Sequence, residues 1–129
     1  MNPLLEYIKQ SITIPLEIEQ KLNDAIIEKN LIKGEVILNE NSFKKEHIFV
    51  VSGCLRSFYK TEDGKEHTIQ FAIKNWWISD YITLYTEQKS IVSIESLTHS
   101  KVLILDKNKV DKLYKEHHPF EAFQRNNFE

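Results

Sequence analysis

A chain of 129 residues, 41% hydrophobic and 28% charged, has the length and apolar content of a single globular domain with a core of useful size. Its formal charge of -2 leaves no excess of cations, which argues against a domain that grips nucleic acid through a basic face. The single cysteine, Cys54, excludes an internal disulfide and a thiolate zinc cluster; no apolar run nears membrane-spanning length and Glu6 comes too early for a secretory signal, so no membrane partner and a cytoplasmic location are expected.

Asn2 and Pro3 suit a helix N-terminus. Pro15 opens a second segment in which Ile18, Leu22, Ala25 and Ile26 recur at i, i+4, i+7 and i+8, so two helices are predicted within residues 1–30. From Leu31 the pattern changes to short β-branched and aromatic runs between turn signals at Lys33-Gly34, Ser52-Gly53 and Glu62-Asp63-Gly64. Strands are predicted near Glu35 to Leu38, His47 to Val51, Cys54 to Lys60, Glu66 to Ile73, Ile91 to Ser96 and Lys101 to Leu105, a roll spanning 31–106.

The clearest local signal is a hairpin. Leu55, Ser57 and Tyr59 alternate with Arg56, Phe58 and Lys60 before Asp63-Gly64, and His67, Ile69, Phe71 and Ile73 alternate after it. Asp106 is a good N-cap for a helix carrying Val110, Leu113 and Tyr114, which stops before His117-His118-Pro119. Its lysines alternate with Asp106 and Asp111, the pattern of a solvated face. Pro119 opens a further helix with Phe120, Phe123 and Phe128; it reaches Glu129 without a C-cap glycine, so the C-terminal helices of 107–129 read as cut short. The expected fold is mainly β with flanking helices: one domain over 1–129, a double-stranded, jelly-roll-like antiparallel β-roll between N- and C-terminal α-helices.

The wording of the middle of the chain narrows this further. Lys33-Gly34-Glu35-Val36-Ile37, His47 through Arg56 (HIFVVSGCLR), Asp63-Gly64-Lys65-Glu66-His67 and Gln70-Phe71 stand in the order and spacing of the Crp/Fnr regulators, which the chain resembles over nearly its whole length. Asn75-Trp76-Trp77-Ile78-Ser79-Asp80-Tyr81 resembles a variant common in Bacteroidetes-type regulators. The resemblance implies the effector-sensing, cyclic-nucleotide-binding-like domain of a transcription regulator, with a pocket for a small anionic effector. It also implies a homodimer in the longer protein, and DNA contact only through a C-terminal helix-turn-helix that this chain does not contain.

In the family an arginine meets the cyclic phosphate and a glutamate beside a glycine meets the ribose hydroxyl. The resemblance places Ser79 at the glycine, Asp80 at the glutamate and Ser90 at or next to the arginine. Candidate ligand-binding residues are therefore Ser79, Asp80, Tyr81, Lys89, Ser90 and Trp77, with Lys89 a mobile point charge in place of a guanidinium fork. Each has a plainer reading. Ser79 and Asp80 suit the N-cap of a short helix from Tyr81 to Thr86, Lys89 and Ser90 suit a turn, and Trp76 and Trp77 suit the core. Arg56 faces Glu66 and Gln70 across the hairpin and suits a cross-strand pair. With serine in place of arginine the nucleotide pocket reads as degenerate, so no cofactor is expected and cyclic AMP is expected to bind weakly.

Other classes leave less trace. A cupin-like metal site needs His-x-His, which is absent, although His47, His67 and His99 fall at or near separate strands. Cys54 lacks an activating helix N-terminus, and Gly34, Gly53 and Gly64 each belong to a turn rather than a phosphate loop, so no enzyme activity and no catalytic or metal residue is expected. A stand-alone dimerisation or interaction module with a self-filled pocket is the remaining alternative.

Overall fold

The structure, a computed structural model, describes residues 3–9 and 16–116. Helices α1 (Pro3–Lys9) and α2 (Leu16–Ala25) precede strands β1 (Ile26–Leu31), β2 (Val36–Leu38), β3 (Glu46–Ser52), β4 (Leu55–Lys60), β5 (Glu66–Ala72) and β6 (Trp77–Ile78). The short helix α3 (Tyr81–Tyr85), strands β7 (Ser93–Ser96) and β8 (Ser100–Asp106) and helix α4 (Lys107–Glu116) complete the described chain. Its eight strands form two antiparallel four-stranded sheets, ordered β1-β8-β3-β6 and β2-β7-β4-β5, the expected roll. The helix predicted from Pro119, with Phe120, Phe123 and Phe128, lies outside the described residues.

In the first sheet β3 and β8 are buried on both faces and are accordingly near-continuous apolar runs, whereas the edge strand β1 is largely exposed. Phe49, Leu103 and Leu105 point outward to Leu4, Ile18, Leu22, Val110 and Leu113 of the helices, while Ile48, Val50, Val102 and Ile104 point inward to Leu31, Leu55, Ile78 and Ile94. The second sheet covers the inner core and carries polar groups on its outer face. There Arg56 spans three strands: Nε and Nη2 lie 2.7 Å from Glu95 Oε1 on β7, Nη2 lies 2.6 Å from Glu66 Oε1 on β5, and the guanidinium sits 4.2 Å above the Phe58 ring. The expected cross-strand pair is thus present, with Glu95 as an added partner. At the start of α4 the Asp106 carboxylate accepts the N–H groups of Asn108 (2.9 Å) and Lys109 (3.2 Å), the predicted N-cap.

The hairpin forms as predicted, with Leu55 to Lys60 paired against Ala72 to Glu66. One expectation needs correction and two features were not expected. The helical region does not reach residue 30: α2 ends at Ala25, and Ile26 to Leu31 pair residue by residue with Leu105 to Ser100 of β8. The β-branched pair Ile26-Ile27 favours the pleat, and a waiting strand partner outweighs continued helical periodicity. The two-residue strand β6 was not expected, being too short to show alternation. The row His67, Ile69, Phe71, Ile73 does not keep to one face. A bulge pairs Ser57 with Gln70 and Phe58 with Thr68, leaving Ile69 as the extra residue, and the inward positions after it are Gln70 and Ala72. Phe71 and Ile73 are consequently exposed, as is Trp76.

Two features of this framework make measurable predictions. Gly53, at φ +92°, turns β3 into β4, and a Cβ there would strike Ser100 Oγ and lie 2.6 Å from the His99 carbonyl oxygen. Gly53→Ala should cost about 2–4 kcal/mol in urea unfolding, since strain and overlap add. His47, buried beside Trp77 with ring centroids 6.3 Å apart, has its pKa pushed by burial from 6.5 to about 4, Asp111 opposing the shift and Lys107 adding to it. Between those values the unfolded chain binds a proton that the folded chain refuses, so stability falls as pH drops through that window, by up to about 3 kcal/mol. The unfolding midpoint should fall on acidification and fall less in His47→Phe; equal slopes for the two proteins would remove His47 as the cause.

Candidate functional site

Leu55, Ser57 and Tyr59 form the inward row of β4, opposite Ala72, Gln70 and His67. Toward the hairpin tip this row changes from apolar to polar to aromatic, ending with the Tyr59 and His67 rings stacked at 5.0 Å. At the polar step a cavity of about 200 Å³ opens between the strands and the connection from β6 to β7. It is lined by Ser57, Ile69, Gln70, Ser79, Asp80, Ile91 and Val92.

Ser79 and Asp80 follow β6 and are both buried. The Ser79 hydroxyl donates to the Ile78 carbonyl at 2.7 Å, with the Glu46 carbonyl at 3.1 Å. Asp80 caps α3: Oδ1 accepts the Thr83 N–H and Oδ2 the Thr83 hydroxyl, each at 3.4 Å. Oδ2 also accepts the Ile91 N–H at 3.1 Å, so one carboxylate ties the start of the connection to its end. Asp80 thus has the capping role weighed for it and also lines the cavity.

The other candidates are placed differently. Ser90 is 1% exposed and does not line the cavity; its hydroxyl donates to the Val92 carbonyl (2.6 Å) and accepts the Val92 N–H (3.3 Å), the turn role. Its backbone is fastened to the β2–β3 loop, N–H to the Ser42 carbonyl (2.8 Å) and carbonyl to the Asn41 N–H (2.7 Å). Lys89 is exposed and holds its ammonium 5.7 Å from the Phe43 ring centroid, not in the lining. Trp77 packs among the helix-side residues, 4.9 Å from the Phe49 ring, while its neighbour Ile78 faces the roll; only its carbonyl approaches the site, accepting from Gln70 Nε2 at 3.0 Å. Tyr81 is the first residue of α3.

Ser57, Ile69, Gln70, Ile91 and Val92 were not among the sequence candidates. Ser57 had a signal, a small hydroxyl in the inward row between Leu55 and Tyr59, whereas Ile69 and Gln70 depend on the bulge. Among the described residues no lysine or arginine lines the cavity, and no group of three histidine, cysteine or acidic side chains is arranged to hold a metal. A larger concavity of about 260 Å³ lies between α2 and α4, where Lys21, Lys109 and Lys112 border Ala25 and Leu113. No helix among the described residues is long and apolar enough to cross a membrane.

The double duty of Asp80 has a measurable cost when removed. Asp80→Ala deletes the cap and strands the Ile91 N–H, and should destabilise the domain by about 2–4 kcal/mol in urea unfolding. Asp80→Asn keeps an acceptor for the cap and should lose less; equal losses would mean that the bonds, as drawn, do not carry the stability.

Solved structures share this roll. The chain superposes on the Thermus thermophilus catabolite activator protein with a TM-score of 0.73 at 16% identity, covering 94% of this chain and 54% of that one. For the sensor domain of the transcriptional regulator DNR from Pseudomonas aeruginosa the TM-score is 0.80 at 13% identity, covering 94% and 83%. The N-terminal domain of a transcriptional regulator from Streptomyces coelicolor A3(2) gives 0.70 at 16%, covering 94% and 80%. These identities speak for the fold alone, and the chain spans about half the length of the catabolite activator protein. No curated protein sequence matches it. A family model for the cyclic nucleotide-binding domain matches residues 28–117, most of the described roll and α4, and the chain therefore belongs to the cyclic nucleotide-binding domain family.

Proposed function

We propose that this chain is the effector-sensing domain of a Crp/Fnr-type transcription regulator whose pocket lacks the phosphate-holding half of a cyclic-nucleotide site. The observation that carries the reading is the cavity itself: it lies beside the Ser79-Asp80 segment, yet among the described residues no cation lines it, and Ser90, which the resemblance puts at or next to the arginine, is occupied with Val92. An open cavity favours a sensor over an interaction module filled by its own side chains. DNA binding through a helix-turn-helix and homodimerisation belong, in this reading, to the longer regulator, and the domain performs no catalysis.

A cyclic phosphate brought into this cavity would meet a carboxylate and no guanidinium. Leaving a buried charge without its partner costs roughly 3–5 kcal/mol, or about two to nearly four orders of magnitude in affinity. Calorimetry with cyclic AMP should therefore show very weak or undetectable binding by the unmodified chain. Ser90→Arg combined with Asp80→Glu should bind at least tenfold more tightly. Because Asp80 also holds α3 and Ile91, Ser90→Arg alone belongs in the same series. Micromolar binding by the unmodified chain refutes the degenerate pocket; no gain in either variant refutes the assignment of Ser90 to the arginine position.

A further inference from the structure

The hydrogen-bonding groups around the cavity are unevenly divided between donors and acceptors. Two backbone donors of the lining are already used, Ile91 N–H on Asp80 Oδ2 and Val92 N–H on Ser90 Oγ. Gln70 presents its NH₂ to the Trp77 carbonyl, an acceptor that only the amide nitrogen can satisfy, so the orientation of the amide is fixed and Oε1 is the end left over. Among the described residues Gln70 Oε1 takes no hydrogen bond, and neither does the hydroxyl of Ser57, which is 3% exposed and lines the cavity. The Ser57 hydroxyl is reached from the cavity, so its partner comes from outside the protein, water or a ligand. The one ionisable side chain in the described lining is Asp80, and the remaining wall is Ile69, Ile91 and Val92.

Resting on the reading of this cavity as the effector pocket, we infer that its ligand is a hydrogen-bond donor with an apolar body, an amine or a neutral N–H or O–H compound rather than an anion. Gln70 Oε1, Ser57 Oγ and the Asp80 carboxylate receive its donor groups, and Ile69, Ile91 and Val92 hold its apolar part. An anion fails here twice over. It would find the lining's Ile91 and Val92 N–H groups occupied, and it would face the like charge of the Asp80 carboxylate.

Benzylamine, benzyl alcohol and benzoate share a ring and differ in the polar head, so titration of each into the isotope-labelled 129-residue chain, followed by amide NMR, isolates the head group. Benzylamine and benzyl alcohol should shift the Ser57, Gln70, Asp80 and Ile91 amides, with benzoate at least tenfold weaker. Ser57→Ala should weaken the amine and the alcohol severalfold, and Asp80→Asn should abolish the preference for amine over alcohol. Benzoate binding as tightly as the amine, or no shift of these amides by any of the three at millimolar concentration, overturns the inference. Cyclic AMP calorimetry on the Ser90→Arg variants separates the two levels. If those variants gain affinity while the three probes fail, the pocket reading stands and the donor-ligand inference falls. If the probes shift only residues elsewhere and the variants gain nothing, the pocket reading falls as well.

Discussion

The structure depends on two neighbouring strands, β3 and β8, being buried from both sides. In β3 and β8 successive residues serve different cores: Ile48 and Val50 the inside of the roll, Phe49 the helices, with Val102 and Ile104 set against Leu103 and Leu105 in the same way. A fully buried side chain of this size contributes about 1.5–3 kcal/mol, so these two strands anchor a large share of the apolar stabilisation. A one-residue slip of either strand would exchange the two cores, which fixes the register strongly. The second sheet has no such constraint on its outer face, and there the Arg56 contacts to Glu66, Glu95 and Phe58 bind three strands together.

The cavity follows from this arrangement. Where the inner row of β4 gives way from Leu55 to Ser57, and where the bulge sets Gln70 rather than a large apolar residue inward, the two sheets cannot fill the space between them. The connection from Ser79 to Val92 closes one side and is held at both ends, by Asp80 to Ile91 and by Ser90 to Asn41 and Ser42. Lys45 adds a third fastening, its ammonium donating to the Thr86 carbonyl at 3.0 Å. The wall of the site is therefore a strapped loop rather than a rigid strand, held by a few polar bonds.

Much of this was legible in the residue pattern, and the exceptions have specific causes. The hairpin was readable because alternation and an Asp-Gly turn agree over adjacent residues, and the α3 and α4 caps because aspartate at an N-cap is a local preference. β1 was hidden because Ile18, Leu22, Ala25 and Ile26 keep helical spacing one residue beyond the helix; what ends it is pairing with β8, some eighty residues later. The bulge at Ile69 breaks the alternation of β5, and that break concealed Ile69 and Gln70 as lining residues. At the site, Ser79 and Asp80 came from the family pattern and do line the cavity, whereas the side-chain directions of Trp77 and Lys89 depend on tertiary packing that no local motif encodes.

The position of Asp80 links occupancy of the cavity to the state of its wall. A ligand shifts a conformational equilibrium only by the difference in its interactions with the two states. Donors that reach the Asp80 carboxylate compete for the same oxygens that hold Thr83 and Ile91, and the two 3.4 Å contacts to Thr83 are the longer of these bonds. The bond to Ile91, at 3.1 Å, is the shorter, so competition falls first on the α3 cap and only then on the closure of the connection. A carboxylate already engaged with its own backbone thus stands beside the cavity, where it ties the N-terminus of α3 to the end of the connection.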